Sequence, residues 1–141
     1  MFEKLLKEIY NKNNKYEFYK IEDQEVNVAE ERMGYLFPPM LKQFYSEVGY
    51  GFIKGSPSFI NRIMTPSDVA DFMCGDEEYQ YVDKSIYNEY GMVFFHISGE
   101  DFLTIELYGD NEGAIKYFDE VIAVDFVDFI EKMMNDPNYF I

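Results

Sequence analysis

The chain carries one histidine and one cysteine. Any nucleophilic or metal chemistry must therefore be built from His96, Cys74 and carboxylates. Covalent catalysis needs a nucleophile beside a base, commonly Cys–His or Ser–His. His96 lies in Met92-Val-Phe-Phe-His-Ile97, a strand-like run in which simple alternation puts it on the face of Phe94. That is the setting of a sheet residue rather than of a general base. Cys74 is followed by Gly75 and by Asp76, Glu77 and Glu78. Neighbouring carboxylates raise a thiol's pKa and suppress the reactive thiolate. A zinc site draws most of its three or four ligands from His and Cys, and this chain is too poor in both. Calcium takes oxygen ligands, but neither Asp76-Glu77-Glu78 nor Asp110-Asn111-Glu112 has the D-x-[DN]-x-[DN]-G spacing. Gly49-Tyr50-Gly51 follows an expected helix rather than a strand, and Lys54 stands where a dinucleotide fingerprint needs its third glycine. No spacing singles out a carboxylate pair for glycoside hydrolysis. The expectation is a protein that binds rather than turns over, with no metal and no cofactor.

What the chain does concentrate is acid and tyrosine. It has 27 Asp+Glu against 12 Lys+Arg, a formal net charge of −15, with 14 Phe and 13 Tyr. Residues 1–70 hold 10 acidic and 9 basic residues, whereas residues 71–141 hold 17 acidic residues and only Lys84, Lys116 and Lys132 as cations. Binding to nucleic acid or to an anionic membrane rests on clustered Lys and Arg, so both partners are excluded. The excess is either a solvated face or a surface for a basic protein. Within residues 75–90, acids at 76, 77, 78, 83 and 89 interleave with tyrosines at 79, 81, 87 and 90. Tyrosine gives large contact area at low entropy cost, and carboxylates beside it suit Arg and Lys. The candidate partner-binding residues are Asp76, Glu77, Glu78, Tyr79, Tyr81 and Asp83, joined by Asp110 and Glu112. The competing reading makes some of these tyrosines core and the acids a solvated rim.

The elements that must carry these residues can be read from spacing. Phe2, Leu5, Leu6 and Ile9 share one face of a helix over 2–12, and Val26, Ala29 and Met33 do so over 24–33, ended by Gly34. Pro38-Pro39 opens a third helix with the stripe Met40, Leu41, Phe44, Tyr45, Val48, ended by Gly49. Short strands are expected at 51–53 and 58–63. Thr65-Pro66-Ser67-Asp68 starts a helix that stops at Gly75, with Asp68 placed to reach back to the Thr65 amide. Met92–Ile97 reads as a strand, and Phe102–Leu107 with Ala114–Phe118 as a hairpin around a Gly/Asp/Asn turn. Asp125 caps a last helix that breaks before Pro137. The fold class is α+β, an antiparallel central sheet flanked by helices, in one domain over residues 1–141. The amphipathic start, Met1-Phe-Glu-Lys-Leu-Leu-Lys-Glu8, lacks an apolar h-region, and no apolar run of about 18 residues follows. A cytoplasmic location is expected.

Three stretches, taken in order, form a recognisable pattern. The first runs from Glu30-Glu31 through Gly34-Tyr-Leu-Phe-Pro38-Pro to Val48-Gly49-Tyr-Gly51. The second is Gly91-Met-Val-Phe-Phe-His-Ile-Ser-Gly99 with Phe102-Leu-Thr-Ile105-Glu-Leu. The third is Gly113-Ala-Ile-Lys-Tyr-Phe followed by Val124-Asp-Phe-Val-Asp-Phe-Ile130. Phe37-Pro38 stands where Leu-Pro is commoner, and Gly-Tyr-Gly where Asn-Gly-Gly is. Together the three stretches resemble the SUKH superfamily, the Smi/Knr-type domain, and the resemblance implies an α+β fold. In bacteria it implies a non-enzymatic immunity protein that neutralises a cognate polymorphic toxin, often a nuclease. Eukaryotic members imply a second reading, a regulatory or scaffolding module. Nucleases hold phosphates in basic clefts, which an acidic, tyrosine-rich surface could occupy; a basic toxin domain is the expected partner. The sequence leaves the oligomeric state open.

Overall fold

The computed structural model describes residues 1–83 and 91–141. Pro39 opens α3 (Pro39–Glu47), because proline's fixed φ suits the first turn and its missing N–H has no partner to lose there. Before it come α1 (Glu3–Tyr10), β1 (Tyr16–Tyr19) and α2 (Asp23–Met33), the last ended by Gly34 in the left-handed conformation. β2 (Tyr50–Ile53) and β3 (Arg62–Ile63) follow α3, then α4 (Pro66–Cys74). Thr65 caps α4 by accepting the Asp68 amide at 3.0 Å. The Asp68 carboxylate does not reach back to Thr65 as expected; it takes the guanidinium of Arg62 at 2.8 Å. A charged partner outcompetes an amide.

A 3-10 turn (Glu77–Tyr79) leads out of α4, and the chain then builds β4 (Gly91–Ser98), β5 (Asp101–Glu106), β6 (Ile115–Tyr117), β7 (Glu120–Ala123) and α5 (Phe126–Asn135). Among the described residues the seven strands form one sheet in chain order, every neighbouring pair antiparallel. Two strands were not expected: β1 and β7, the edges. The expected strand over 58–63 shrinks to Arg62–Ile63. No helix among the described residues is long and apolar enough to cross a membrane.

The sheet buries both faces. Phe95 and His96 are consecutive in the register, opposite Leu103 and Phe102, and so point to opposite faces. On the Phe95 side, Phe2, Phe44, Phe94, Phe126 and Phe129 interlock edge-to-face, with centroids 5.0–5.9 Å apart. On the His96 side, Phe102 packs against Phe72 of α4 at 5.0 Å. The expectation that His96 shares a face with Phe94 is corrected by the irregularity between Val93 and Phe95. A bulge inserts one residue and inverts the alternation beyond it.

Candidate functional site

His96 and Cys74 each contact a backbone carbonyl. His96 stacks on Phe102, centroids 4.5 Å apart and nearly parallel, and its Nε2 lies 2.7 Å from the Gly99 carbonyl. A carbonyl only accepts, so Nε2 carries a proton and holds the β4–β5 turn. The Cys74 thiol donates to the Arg32 carbonyl at 3.6 Å. Among the described residues no three of His, Cys, Asp and Glu gather where they could hold a metal ion.

The acidic candidates divide. Asp76 is exposed but engaged: Arg32, on the last turn of α2, donates to Asp71 at 2.7 Å and to Asp76 at 3.0 Å, which ties α2 to the end of α4. Glu77 and Glu78 project from the 3-10 turn into solvent, and Tyr81 is 89 % exposed. Asp83 is exposed as well. Tyr79 is the correction. It is only 6 % exposed, its ring 5.2 Å from Phe72 and 6.2 Å from Phe102. Burial pushes its phenol up to about 12, with the Asp68 and Glu78 charges adding to the shift. A 3-10 turn brings every third side chain to one side, and here that side is the core. Tyr87, Glu89 and Tyr90 lie outside the described residues.

Asp110 and Glu112 are exposed in the connection between β5 and β6, which is pinned by Gly113 N–H to the Glu106 carbonyl at 2.8 Å. The two acidic segments leave the fold beside the same depression. Met73, in the last turn of α4, and Glu112 both line a groove of about 1060 Å³. Its other walls are residues 35–40, ahead of and into α3, and residues 124–126 at the start of α5. Spacing alone did not single out these apolar wall residues. Leu36 and Val124 sit next to buried Phe37 and near buried Phe126, and nothing in their types marks them as the exposed members.

Both walls are built firmly. The Glu30 carboxylate accepts the Phe37 amide at 2.9 Å and Lys42 Nζ at 3.2 Å, fixing the turn into α3. At α5, Asp125 accepts the Asp128 amide at 2.8 Å while Asp128 accepts the Val124 amide at 3.0 Å. Asp125 is thus the N-cap, and Asp128 reaches past it to the preceding amide, so the two bonds clamp the turn into α5. Burial alone would lift the Asp128 carboxyl, but the Val124 amide and Lys132 outweigh it and hold it below its ordinary value.

Among the described residues from 71 onward, the cations are Lys116 and Lys132. Each is already held, Lys116 by Glu106 at 3.4 Å and Lys132 by Asp128 at 3.0 Å. Acids of that half therefore outnumber its described cations, and Glu77, Glu78, Asp110 and Glu112 are among those exposed to solvent. The groove is apolar within, and the exposed acid at its rim is Glu112.

Comparison with known proteins agrees with the fold. The SMI1 / KNR4 family (SUKH-1) matches residues 20–132, which span everything from α2 into α5. "Immunity protein YxxD" of Bacillus subtilis (strain 168) is 35 % identical over 133 residues, covering 92 % of this chain and 90 % of that protein. No solved structure matches. With the Pro-Pro start of α3, the β4–β5 pair and the strand leading into α5 all in place, the chain belongs to the SMI1/KNR4 (SUKH-1) family.

Proposed function

We propose that this protein is an immunity protein: it binds a cognate polymorphic toxin and blocks it, without turnover, through its acidic surface. The observation that carries the reading is the end-to-end likeness to immunity protein YxxD. The excess of acid over Lys and Arg in the C-terminal half supports a basic partner, and a nuclease domain with a phosphate-holding cleft is the partner of that description. Glu77, Glu78, Tyr81, Asp83, Asp110 and Glu112, with Arg32-paired Asp76, are the exposed candidates for that contact, acting in the cytoplasm of the cell that is protected.

The test is co-expression in a bacterial host with the toxin domain encoded beside this gene. Growth restored by the intact chain, together with a stable complex containing chemically unaltered toxin, is the expected result. Arrest that persists whether or not the chain is present overturns the reading. Rescue with cleaved or modified toxin would replace inhibition by catalysis.

A further inference from the structure

We propose that the groove between residues 35–40, the β5–β6 connection and the start of α5 is the anchoring site for the toxin, seating one of its apolar side chains with a Lys or Arg beside it. This rests on the immunity reading and names the part of the surface that holds the partner.

The first support is where exposed apolar area collects. Leu36 is 69 % exposed, Val124 70 % and Tyr108 55 %, and all three line this one groove. Single exposed apolar residues are ordinary, but several around one concavity mark a binding surface. At about 1060 Å³ the groove has room for a bulky side chain and the backbone that carries it.

The second is charge. The charged side chains among the described residues of its lining are Glu106, Glu112 and Asp125, with no Lys or Arg. Glu106 is buried against Lys116 and Asp125 is committed to capping α5. Glu112, by contrast, is exposed at the rim. A second copy of this chain, at −15, would bring like charge to that rim. A basic partner gains there what a copy would lose.

The third is preorganisation. The Glu30 hold on Phe37, the T-shaped packing of Phe37 on Tyr45 at 5.4 Å and the Asp125 and Asp128 clamps at the start of α5 fix the walls before anything binds. Little ordering entropy is left to oppose association. An apolar anchor within a charged rim is the layout in which a few residues dominate affinity.

The experiment measures affinity between the purified toxin domain and four chains: intact, L36S/V124S, Val124→Lys and Glu77→Gln/Glu78→Gln. Thermal unfolding of each is followed in parallel. Because Leu36 and Val124 are mostly exposed, L36S/V124S should unfold with the intact chain yet bind about tenfold or more weakly, in line with hot-spot losses. Val124→Lys should lose at least as much by placing like charge against the partner. The Glu77/Glu78 variant should lose less, mainly in association rate. If both groove variants bind within about twofold of the intact chain, the groove falls while the immunity reading stands. If the intact chain itself does not bind the toxin domain, both fall. If the intact chain is a dimer that Val124→Lys dissociates, a second copy occupies the groove and the proposal is overturned.

Discussion

At the residue scale, the instructive case is Tyr79. In a run of acids and tyrosines its type suits an interface as well as a core, and spacing alone offers no choice between them. Neighbouring Tyr81 is solvent-exposed and Tyr79 buried against Phe72 and Phe102, because a turn of three residues per repeat separates them. The burial has a measurable signature. Its phenol is pushed up to about 12 by desolvation, helped by the Asp68 and Glu78 charges and opposed by Arg62. A raised folded pKa means the unfolded chain loses this proton first. Tyr79 therefore contributes stability that is fully present below pH about 10 and is lost between about 10 and about 12. The expected outcome is that Tyr79→Phe loses stability less steeply than the intact chain across that alkaline window, measured by urea unfolding at stepped pH. Parallel profiles would place the phenol in contact with water. The same lesson applies to His96 and Cys74. Their scarcity bears on what chemistry the sequence can offer, but only the Gly99 and Arg32 carbonyls reveal the contacts they make.

At the scale of elements, punctuation was the legible part. Pro38-Pro39, Thr65-Pro66 and Asp125 each start a helix where the sequence places one, because caps and prolines act locally. The edge strands were illegible for the opposite reason. Tyr16–Tyr19 and Glu120–Ala123 are four residues each, and what makes them strands is distant: pairing with Tyr50–Ile53 for one and with β6 for the other. Tyr139 adds a further remote tie by donating to the Ile122 carbonyl at 2.9 Å. The β1–β2 pairing depends on close backbone approach at Gly49, which has φ +111° and where a Cβ would sit 1.9 Å from the Tyr19 carbonyl oxygen. Gly113 offers a control, with φ +88° and nothing within 4 Å. Gly113→Ala should cost only the conformational strain, about 1–2 kcal/mol. Gly49→Ala should cost clearly more, about 3 kcal/mol or above, because backbone rather than a flexible side chain blocks the new methyl. Denaturant unfolding of the two variants separates the terms. Equal losses would show that β1 moves away at no cost.

At the scale of the whole molecule, the net charge of −15 acts through its distribution. Ion pairs consume the described cations of the C-terminal half, and in the N-terminal half Arg32, Lys42 and Arg62 are likewise engaged, by Asp71 and Asp76, Glu30 and Asp68. Arg32 is shared by Asp71 and Asp76 and offsets one of their two charges, and the outward charge rests further on Glu77, Glu78, Asp110, Glu112 and their neighbours. Exposed charges are screened over a Debye length of about 8 Å at physiological salt, whereas an apolar anchor in a groove is not. The two parts of the surface should therefore separate kinetically. Raising salt from about 0.05 to about 0.5 M should slow association with the toxin domain steeply while changing dissociation little. Replacing Glu77, Glu78 and Glu112 together by Gln should flatten that dependence without abolishing the complex. Stopped-flow measurement of both rates decides it. A salt-independent association rate would leave the acid as a solubilising face. A dissociation rate that rose as steeply as association fell would mean that charge, and not the groove, holds the complex together.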